Sequence, residues 1–230
     1  MVLIVALDGL VPFVTMSAPS TTPAGNGEGR TSRKRQAILE AATEAFLRDG
    51  YRGTSMDQIA DLAHVSKQTV YKQFADKEHL FIAIVNATVD EASDAVQDEV
   101  VSLRDSGDVE SDLRDQARRQ LARVMQPRLL ELRRLVIAEA NRFPELGRTF
   151  YERGPGRTID TLAATFARLA ARGALRIDDP LVAAEHFNWL IMSAPLNRAM
   201  LMGADGAPPP AELDRHAAEG VRVFMAAYGA

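Results

Sequence analysis

The segment Val65–Phe74, VSKQTVYKQF, carries side chains that can bind a nucleic-acid backbone and read bases. They are of three kinds: amines that attract phosphates, hydroxyls that donate to phosphate oxygens, and an amide that can contact a base edge. The residues are Lys67, Gln68, Thr69, Tyr71 and Lys72. Ser66 precedes them and can cap a helix, whose first N–H groups and positive dipole end also attract phosphate. The pattern predicts a DNA-contacting helix, although a solvated polar face is the alternative for any charged run.

A small helical core must hold this surface in place. Val70 and Phe74 lie four residues apart, so on a helix they face inward and turn the polar residues outward. Upstream, Ser55 is placed to cap another helix, with Gln58 three residues later as in a capping box. An earlier helix is predicted over about 33–49, because its apolar residues recur at three- and four-residue spacing. That stripe comprises Ile38, Ala41, Ala42, Ala45 and Phe46. Two short helices joined by a tight turn form a helix-turn-helix, whose second helix enters the major groove.

Positive charge is concentrated in this part of the chain. From Arg30 to Lys77 there are nine Lys and Arg against six Asp and Glu, a local net charge of +3, whereas the whole chain carries −4. The basic cluster Arg33, Lys34 and Arg35 precedes the first helix and is expected to reach the DNA backbone or the adjacent minor groove. The charge distribution therefore favours one local DNA-binding surface.

The stretch GTSMDQIADLAHVSKQTVYKQFADKEHLF resembles the DNA-binding signature of the TetR family of transcriptional regulators. The resemblance implies an all-α homodimer, with an N-terminal three-helix DNA-binding domain and a C-terminal helical bundle for ligand binding and dimerisation. It implies DNA contacts by Lys67, Thr69, Tyr71 and Lys72, and phosphate contacts by Thr54 and Lys77. His64 stands where the family usually has Gly, so we expect a strained or differently wound turn at this residue.

The first 31 residues are expected to be a disordered extension. The opening run MVLIVALDGLVPFVT has no basic residue, is interrupted by Asp8 and is too short to span a bilayer, which argues against a signal peptide or membrane anchor. A Ser/Thr/Pro/Gly-rich tract too polar to pack follows it. We predict a DNA-binding domain over 32–76 and a ligand-binding and dimerisation domain over 77–230, in a cytoplasmic protein.

The remainder of the chain has helical patterns and no strand signal. The predicted helices run from Lys77 to about Asp105, then over about 109–125, 127–141, from Pro144 to an end or kink at 154–156, 158–172, 180–202 and 211–228. In the family, the last two long helices of each subunit form a four-helix dimer interface. The apolar residues available for it are Leu181, Phe187, Leu190, Ile191, Leu213, Val221, Phe224 and Met225. The same residues could instead fill the core of a monomer.

A ligand site is expected in the middle of the C-terminal helices, because a bundle core can hold a cavity. Glu139 interrupts an apolar helical stripe, and a buried carboxylate needs a partner. It would either recognise a cationic or hydroxylated ligand or form an ion pair with Arg142 or another Arg. The predicted pocket residues are Glu139, Phe143, Phe150, Phe166, Asn188, Trp189 and Met192. Aromatic and Met residues at helical spacing are also typical of an ordinary core.

The sequence gives no support for catalysis. It lacks a Gly-rich phosphate loop, a GxSxG elbow and an HExxH motif, and its absence of cysteine excludes disulfides and thiolate metal sites. We therefore predict no enzyme activity, metal or cofactor.

The predicted function is a ligand-responsive transcriptional repressor. It would bind a palindromic operator in double-stranded DNA as a homodimer and be released by an unknown small-molecule effector, without contact with a membrane. The alternative is an architectural or constitutive DNA-binding regulator without an effector. Such a protein would bind DNA with little sequence preference and a steep salt dependence.

Overall fold

The computed structural model describes residues 26–103 and 107–230, which form helices joined by short connections. The helices are α1 Asn26–Gly53, α2 Met56–Leu62, α3 Lys67–Gln73, α4 Lys77–Ser102, α5 Val109–Val124, α6 Pro127–Glu139, α7 Pro144–Tyr151, α8 Arg157–Ala171, α9 Pro180–Met202 and α10 Pro210–Tyr228. A π-helical turn, Glu152–Gly156, joins α7 to α8. The predicted all-α fold is confirmed, and the β pairing recorded in these ranges is an isolated bridge between Leu175 and Gly229. Within them, no helix has the length and apolar character of a bilayer span.

The first helix differs from its prediction at both ends. It begins at Asn26 instead of residue 33, and Gly50 adopts a left-handed backbone (φ 73°, ψ 170°) that kinks it before Gly53. Glycine suits this kink because it has no Cβ to clash at positive φ. The predicted disordered extension falls mostly on residues 1–25, outside the described ranges, whereas 26–31 belong to α1.

Helices α1–α3 pack around the residues that the sequence pattern placed inward. The apolar stripe of α1 is buried, and Val70 and Phe74 below α3 are 0% and 4% exposed. Ser55 and Ser66 cap α2 and α3, since each side chain accepts a hydrogen bond from the backbone N–H three residues later. The N-terminal core formed here also includes the first turns of α4 and, from α6 and α7, Leu132, Val136, Leu146 and Phe150.

His64 closes α2 in the left-handed conformation that glycine usually supplies. Its φ is 52°, and its N–H donates to the carbonyl of Asp61 at 3.2 Å. The next N–H, of Val65, donates to the carbonyl of Ala60 at 3.0 Å. These two bonds form a Schellman motif, which satisfies carbonyls at the end of α2. The turn between α2 and α3 therefore has an ordinary helix-ending geometry, and His64 is strained because it adopts the backbone conformation that glycine usually supplies.

Replacing His64 by Gly is expected to raise the free energy of unfolding by about 0.5 kcal/mol, because relief of the left-handed strain exceeds the added entropy of the unfolded chain. Urea denaturation measures the change. Ala63, whose φ is −78°, offers the matched control. Ala63→Gly should destabilise by about 0.5–1 kcal/mol, because only the entropic cost remains. A loss of stability in His64→Gly would contradict the interpretation that His64 is strained.

Candidate DNA-binding surface and effector cavity

Helix α3 presents the predicted DNA-contacting residues on its exposed face. Lys67, Gln68 and Lys72 are exposed, Thr69 is half-buried, and the Tyr71 side chain is 45% exposed. The buried Val70 below them fixes the rotation of the helix. The structure thus brings the residues named from the sequence onto one surface that a major groove can accept.

Neighbouring residues orient two members of this surface. The Lys67 ammonium lies 2.8 Å from a carboxylate oxygen of Asp57 on α2, and this hydrogen bond raises the pKa of Lys67. The hydroxyls of Ser66 and Thr69 lie 2.8 Å apart, so each is held at the start of α3. A phosphate contact by Lys67 would require it to exchange or share its ion pair with Asp57, whereas no such ion pair holds the exposed Lys72 among the described residues.

The basic cluster before the α1 core lies beside α3. The Arg35 guanidinium carbon is 4.3 Å from the centroid of the Phe74 ring, and an Arg35 N–H donates to the carbonyl of Gln73 at 3.4 Å. Arg33 and Lys34 are exposed on the same helix. Because Arg35 is tied to the end of α3, the cluster and the recognition helix belong to one basic surface.

Two predicted phosphate contacts have structural roles in this fold. Thr54 is 2% exposed, and its hydroxyl lies 2.9 Å from the carbonyl of Gly50 and 3.1 Å from that of Ala45. The Lys77 ammonium donates to the carbonyls of Tyr51 and Thr54 at 2.8 and 2.7 Å. Both side chains therefore tie the segment after Gly50 to α1 and α4, and their phosphate contacts stay predictions.

An aromatic junction connects the helix-turn-helix to the C-terminal helices. The Tyr51 ring packs against the Phe143 ring at a centroid distance of 5.0 Å. The Lys77 ammonium and the Arg142 guanidinium carbon lie 4.5 Å and 5.4 Å from the centroid of the Tyr51 ring. Burial raises the pKa of Tyr51 and lowers that of Lys77. Glu139 is half-buried near this junction, where its charge opposes the lowering of the Lys77 pKa.

A cavity of about 60 Å³ lies between α4, α5, α6, α8 and α9. One water needs at least about 10–15 Å³, so this space is several times the minimum for a single water. Its wall is mostly apolar. The lining residues are Val89, Ala92, Ser93, Val96, Gln120, Arg123, Val124, Leu129, Arg133, Phe150, Gly154, Pro155, Thr158, Asn188, Trp189, Met192 and Leu196.

Four of the predicted pocket residues line this cavity and three do not. Those that line it are Phe150, Asn188, Trp189 and Met192. Glu139 and Phe143 lie at the aromatic junction instead, and an ion pair between Glu139 and Arg142 is not formed among the described residues. Phe166 is 0% exposed and packs against the tilted ring of Phe224 at a centroid distance of 5.1 Å, inside the C-terminal core. Packing explains the difference. An apolar helical stripe indicates which residues face the interior, but it does not indicate whether they pack against another side chain or line a cavity.

Sequence reasoning missed Arg133 and Gln120, two polar residues of the cavity wall. Arg133 on α6 extends into the cavity, and its guanidinium carbon is 5.2 Å from the centroid of the Phe150 ring. Burial lowers the pKa of Arg133 below its usual value. Gln120 on α5 is 3% exposed and donates an N–H to the amide oxygen of Asn188 at 3.1 Å. The sequence offered one signal, a Gln within the apolar stripe of α5.

The π-helical turn closes the cavity on the side of α4. The predicted end or kink at residues 154–156 is instead a widened turn, through which α7 continues into α8. Arg153 pairs with Asp90 at 2.7 Å, and Arg157 pairs with Asp94 at 2.6 Å, so the turn is held along α4. A Cβ at Gly154 would lie 3.3 Å from a methyl group of Val89, so glycine allows this close approach. π-helical turns of this kind are frequent at functional sites.

Comparison with known proteins identifies the family. The profile described as bacterial regulatory proteins of the tetR family matches residues 38–84, and that of the AefR-like transcriptional repressor C-terminal domain matches residues 111–230. The second match covers more than half of the chain. This chain belongs to the TetR family. It is a DNA-binding transcriptional regulator, and members of the family act as dimers.

Solved structures of TetR regulators resemble the whole fold. A TetR-family regulator from Mesorhizobium loti is 43% identical, with a TM-score of 0.83 over 87% of this chain and 99% of that one. The flavonoid-responsive regulator FrrA is 32% identical, with a TM-score of 0.67 over 86% of this chain and 98% of that one. The regulator RutR of Escherichia coli K12 is 40% identical over 77 residues, which are 34% of this chain and 35% of RutR. The chain thus matches about a third of the length of this curated relative.

The last two long helices of this TetR regulator leave an apolar face uncovered. Leu181, Val182 and Trp189 on α9 and Val223 on α10 are 40% to 48% exposed. Of the interface residues expected from the sequence, Phe187, Ile191, Val221 and Phe224 are 0% exposed and fill the subunit's own core. The available contact surface therefore consists largely of other residues on the same two helices.

Proposed function

We propose that this protein is a ligand-responsive repressor that binds a palindromic operator as a homodimer in the cytoplasm and is released by a small-molecule effector. The observation that carries the proposal is the position of Val89 and Phe150. Both residues line the cavity, and both belong to the N-terminal core that supports the helix-turn-helix. A ligand that displaces either side chain acts directly on the packing below the DNA-binding helices.

Helix α4 supplies the mechanical link. Its first turns pack in the N-terminal core through Leu80, Phe81 and Ile84, and its middle turns form one wall of the cavity. A helix moves as a rigid rod over such a length, and close-packed cores favour discrete arrangements over continuous deformation. The dimer would exist in two conformers, and the effector would bind one of them more tightly. In that conformer the two recognition helices would no longer match the spacing of the operator half-sites.

The DNA contacts in this proposal come from α3 and from the start of α1. Lys67, Gln68, Thr69, Tyr71 and Lys72, with the helix start at Ser66, would enter the major groove. Arg33, Lys34 and Arg35 would contact the backbone or the adjacent minor groove. A dimer places two such surfaces on successive major grooves, which is why a palindromic site is expected.

The homodimer would form through α9 and α10. Apolar residues exposed on both helices lie on one face, and a two-fold dimer would bury the same face of each subunit. Trp189 and Val223 line a common surface groove, and they would supply the central contacts of the dimer. Exposed apolar patches of this kind mark protein–protein interaction sites.

Replacing Val223 by Asp is expected to raise the dimer dissociation constant about 100-fold, because the carboxylate is buried twice in a symmetric interface. Sedimentation or light scattering over a concentration series measures the change. Ile137, which is 61% exposed on α6, offers the matched control Ile137→Asp, expected to stay dimeric. Unchanged assembly of Val223→Asp would place the interface elsewhere.

Selection of genomic fragments by the purified protein tests the function. The retained fragments should share a palindromic motif, and their binding should weaken when a compound that fills the cavity is added. The second arm supports effector response, for which the flavonoid-responsive FrrA offers a precedent. Salt-sensitive retention without a motif would favour the architectural regulator instead. A motif whose binding no cavity ligand alters would favour constitutive regulation.

A further inference from the structure

The cavity wall contains a cation without a neighbouring carboxylate in the lining. Arg133 lines the cavity, and no Asp or Glu is among the lining residues whose side chains are described. The Arg133 Nε is buried and has no hydrogen-bond partner in the described part of the chain. An arginine remains charged in proteins, and a buried charge without a counter-charge is costly. Such a residue is understandable if a ligand provides the counter-charge.

An uncompensated acceptor lies in the same wall. Gln120 is 3% exposed, and its amide N–H is used by Asn188. Its own amide oxygen is buried and has no donor among the described residues. Buried acceptors are nearly always satisfied, so a ligand or a water must supply a hydrogen-bond donor at this point. The wall therefore offers a cationic donor and a neutral acceptor, surrounded by apolar side chains.

We infer that the effector is a small, mostly apolar or aromatic molecule with one anionic oxygen group, a carboxylate or a phenolate, which Arg133 binds. This inference rests on the proposed effector site. Guanidinium groups bind carboxylates through two parallel N–H bonds and a phenolate oxygen through charge-assisted N–H bonds, and the low-dielectric surroundings strengthen both. A hydroxyl of the same molecule donates to the Gln120 oxygen. The Phe150 ring, which already faces the Arg133 guanidinium, packs against the apolar part.

Fluorescence of Trp189 gives a direct measurement of binding. Trp189 is the sole tryptophan of the chain and lines the cavity, so a bound aromatic molecule should change its emission. The probes are four acids and their uncharged carboxamides: benzoate, salicylate, cinnamate and 1-naphthoate, each titrated against the dimeric protein. Each amide keeps nearly the shape of its acid but replaces one anionic oxygen by an uncharged NH2 group, so the comparison reports the contribution of the anionic oxygen group.

At least one acid should bind about tenfold or more tightly than its amide, the preference expected of a charge-assisted hydrogen bond. Arg133→Met should remove that preference and leave amide binding within about threefold. Arg128 on α6 is exposed and does not line the cavity, so Arg128→Met is the control for loss of one charge from the same helix. Arg133→Gln keeps a polar side chain and repeats the test independently of packing.

The absence of an acid-over-amide preference in all four pairs would overturn the inference, and so would a preference that survives Arg133→Met and Arg133→Gln. Thermal melting of the ligand-free variants tests the same point. Their midpoints should stay close to that of the parent, because the half-buried Arg133 has no ion pair to lose among the described residues. A marked drop that Arg128→Met does not share would mean that Arg133 has a stabilising partner in the ligand-free protein, and it would also overturn the inference.

Failure of the inference is distinguishable from failure of the proposed function. A protein that releases selected DNA in response to uncharged ligands only would remain an effector-controlled regulator, with Arg133 in another role. A protein that binds acids through Arg133 but holds its DNA unchanged would keep the anion site and lose the effector mechanism.

Discussion

Replacing Tyr71 by Phe and Lys72 by Ala together should lower the affinity for the selected operator about 1000-fold. Each subunit loses one hydroxyl and one cation on the exposed face of α3, each worth about 1 kcal/mol, and the dimer loses both twice. The slope of log affinity against log salt should also fall by about two, since two phosphate-neutralising charges are removed. Fluorescence anisotropy with labelled operator at several salt concentrations measures both quantities.

The charge-matched control for this double variant is Arg168→Ala. Arg168 is exposed on α8, in the C-terminal helices, so its loss should change the affinity by less than about threefold. The double variant must also remain dimeric with an unchanged melting midpoint, because Tyr71 and Lys72 are exposed. Loss of the dimer, or unchanged DNA binding, would contradict the assignment of α3 as the recognition helix.

Replacing Phe166 by Ala should lower the free energy of unfolding by about 3–5 kcal/mol, because a fully buried ring is removed and the surrounding rings cannot fill the space. Phe166 meets the Phe187 ring at a centroid distance of 5.7 Å and the Phe224 ring at 5.1 Å, and all three are 0% exposed. Urea denaturation measures the loss. This result would support the corrected position of Phe166 in the core.

Tyr151→Ala is the matched aromatic truncation at the surface. Tyr151 is 53% exposed at the end of α7, so the change should cost less than about 1 kcal/mol. At temperatures where Phe166→Ala remains folded, its affinity for a cavity ligand should stay within about threefold of the parent, since Phe166 does not line the cavity. A small stability loss combined with a large loss of ligand affinity would return Phe166 to the binding site.

The local part of the fold was predictable because short-range signals specify it. Ser55 and Ser66 mark helix starts by capping, and the spacing of Val70 and Phe74 fixes which face of α3 is outward. These signals lie within a few residues of the structure they determine. The same reasoning predicted α9 from the Asp-Pro start that its structure has at Pro180.

Sequence patterns were least informative where a distant segment decides the environment of a side chain. Lys77 binds carbonyls 23 and 26 residues away, so its amine is used internally in a way that no local pattern indicates. Glu139 and Arg133 both lie on α6, but only the packing of α4 and α9 beside that helix makes Arg133 the cavity residue. The periodicity of a sequence shows which face of a helix is buried, but it does not show which other helix packs against that face.

The shared N-terminal core limits how the chain can be divided or recombined. Leu80 and Phe81 of α4 and Leu132 and Val136 of α6 are buried together with the α1–α3 residues, so the core crosses the boundary predicted after residue 76. A fragment that ends there would lose part of its own interior. Chimaeras that exchange the operator specificity of this regulator should therefore alter only the exposed residues of α3. Transplanting the entire first domain would require compensating changes in α4, α6 and α7.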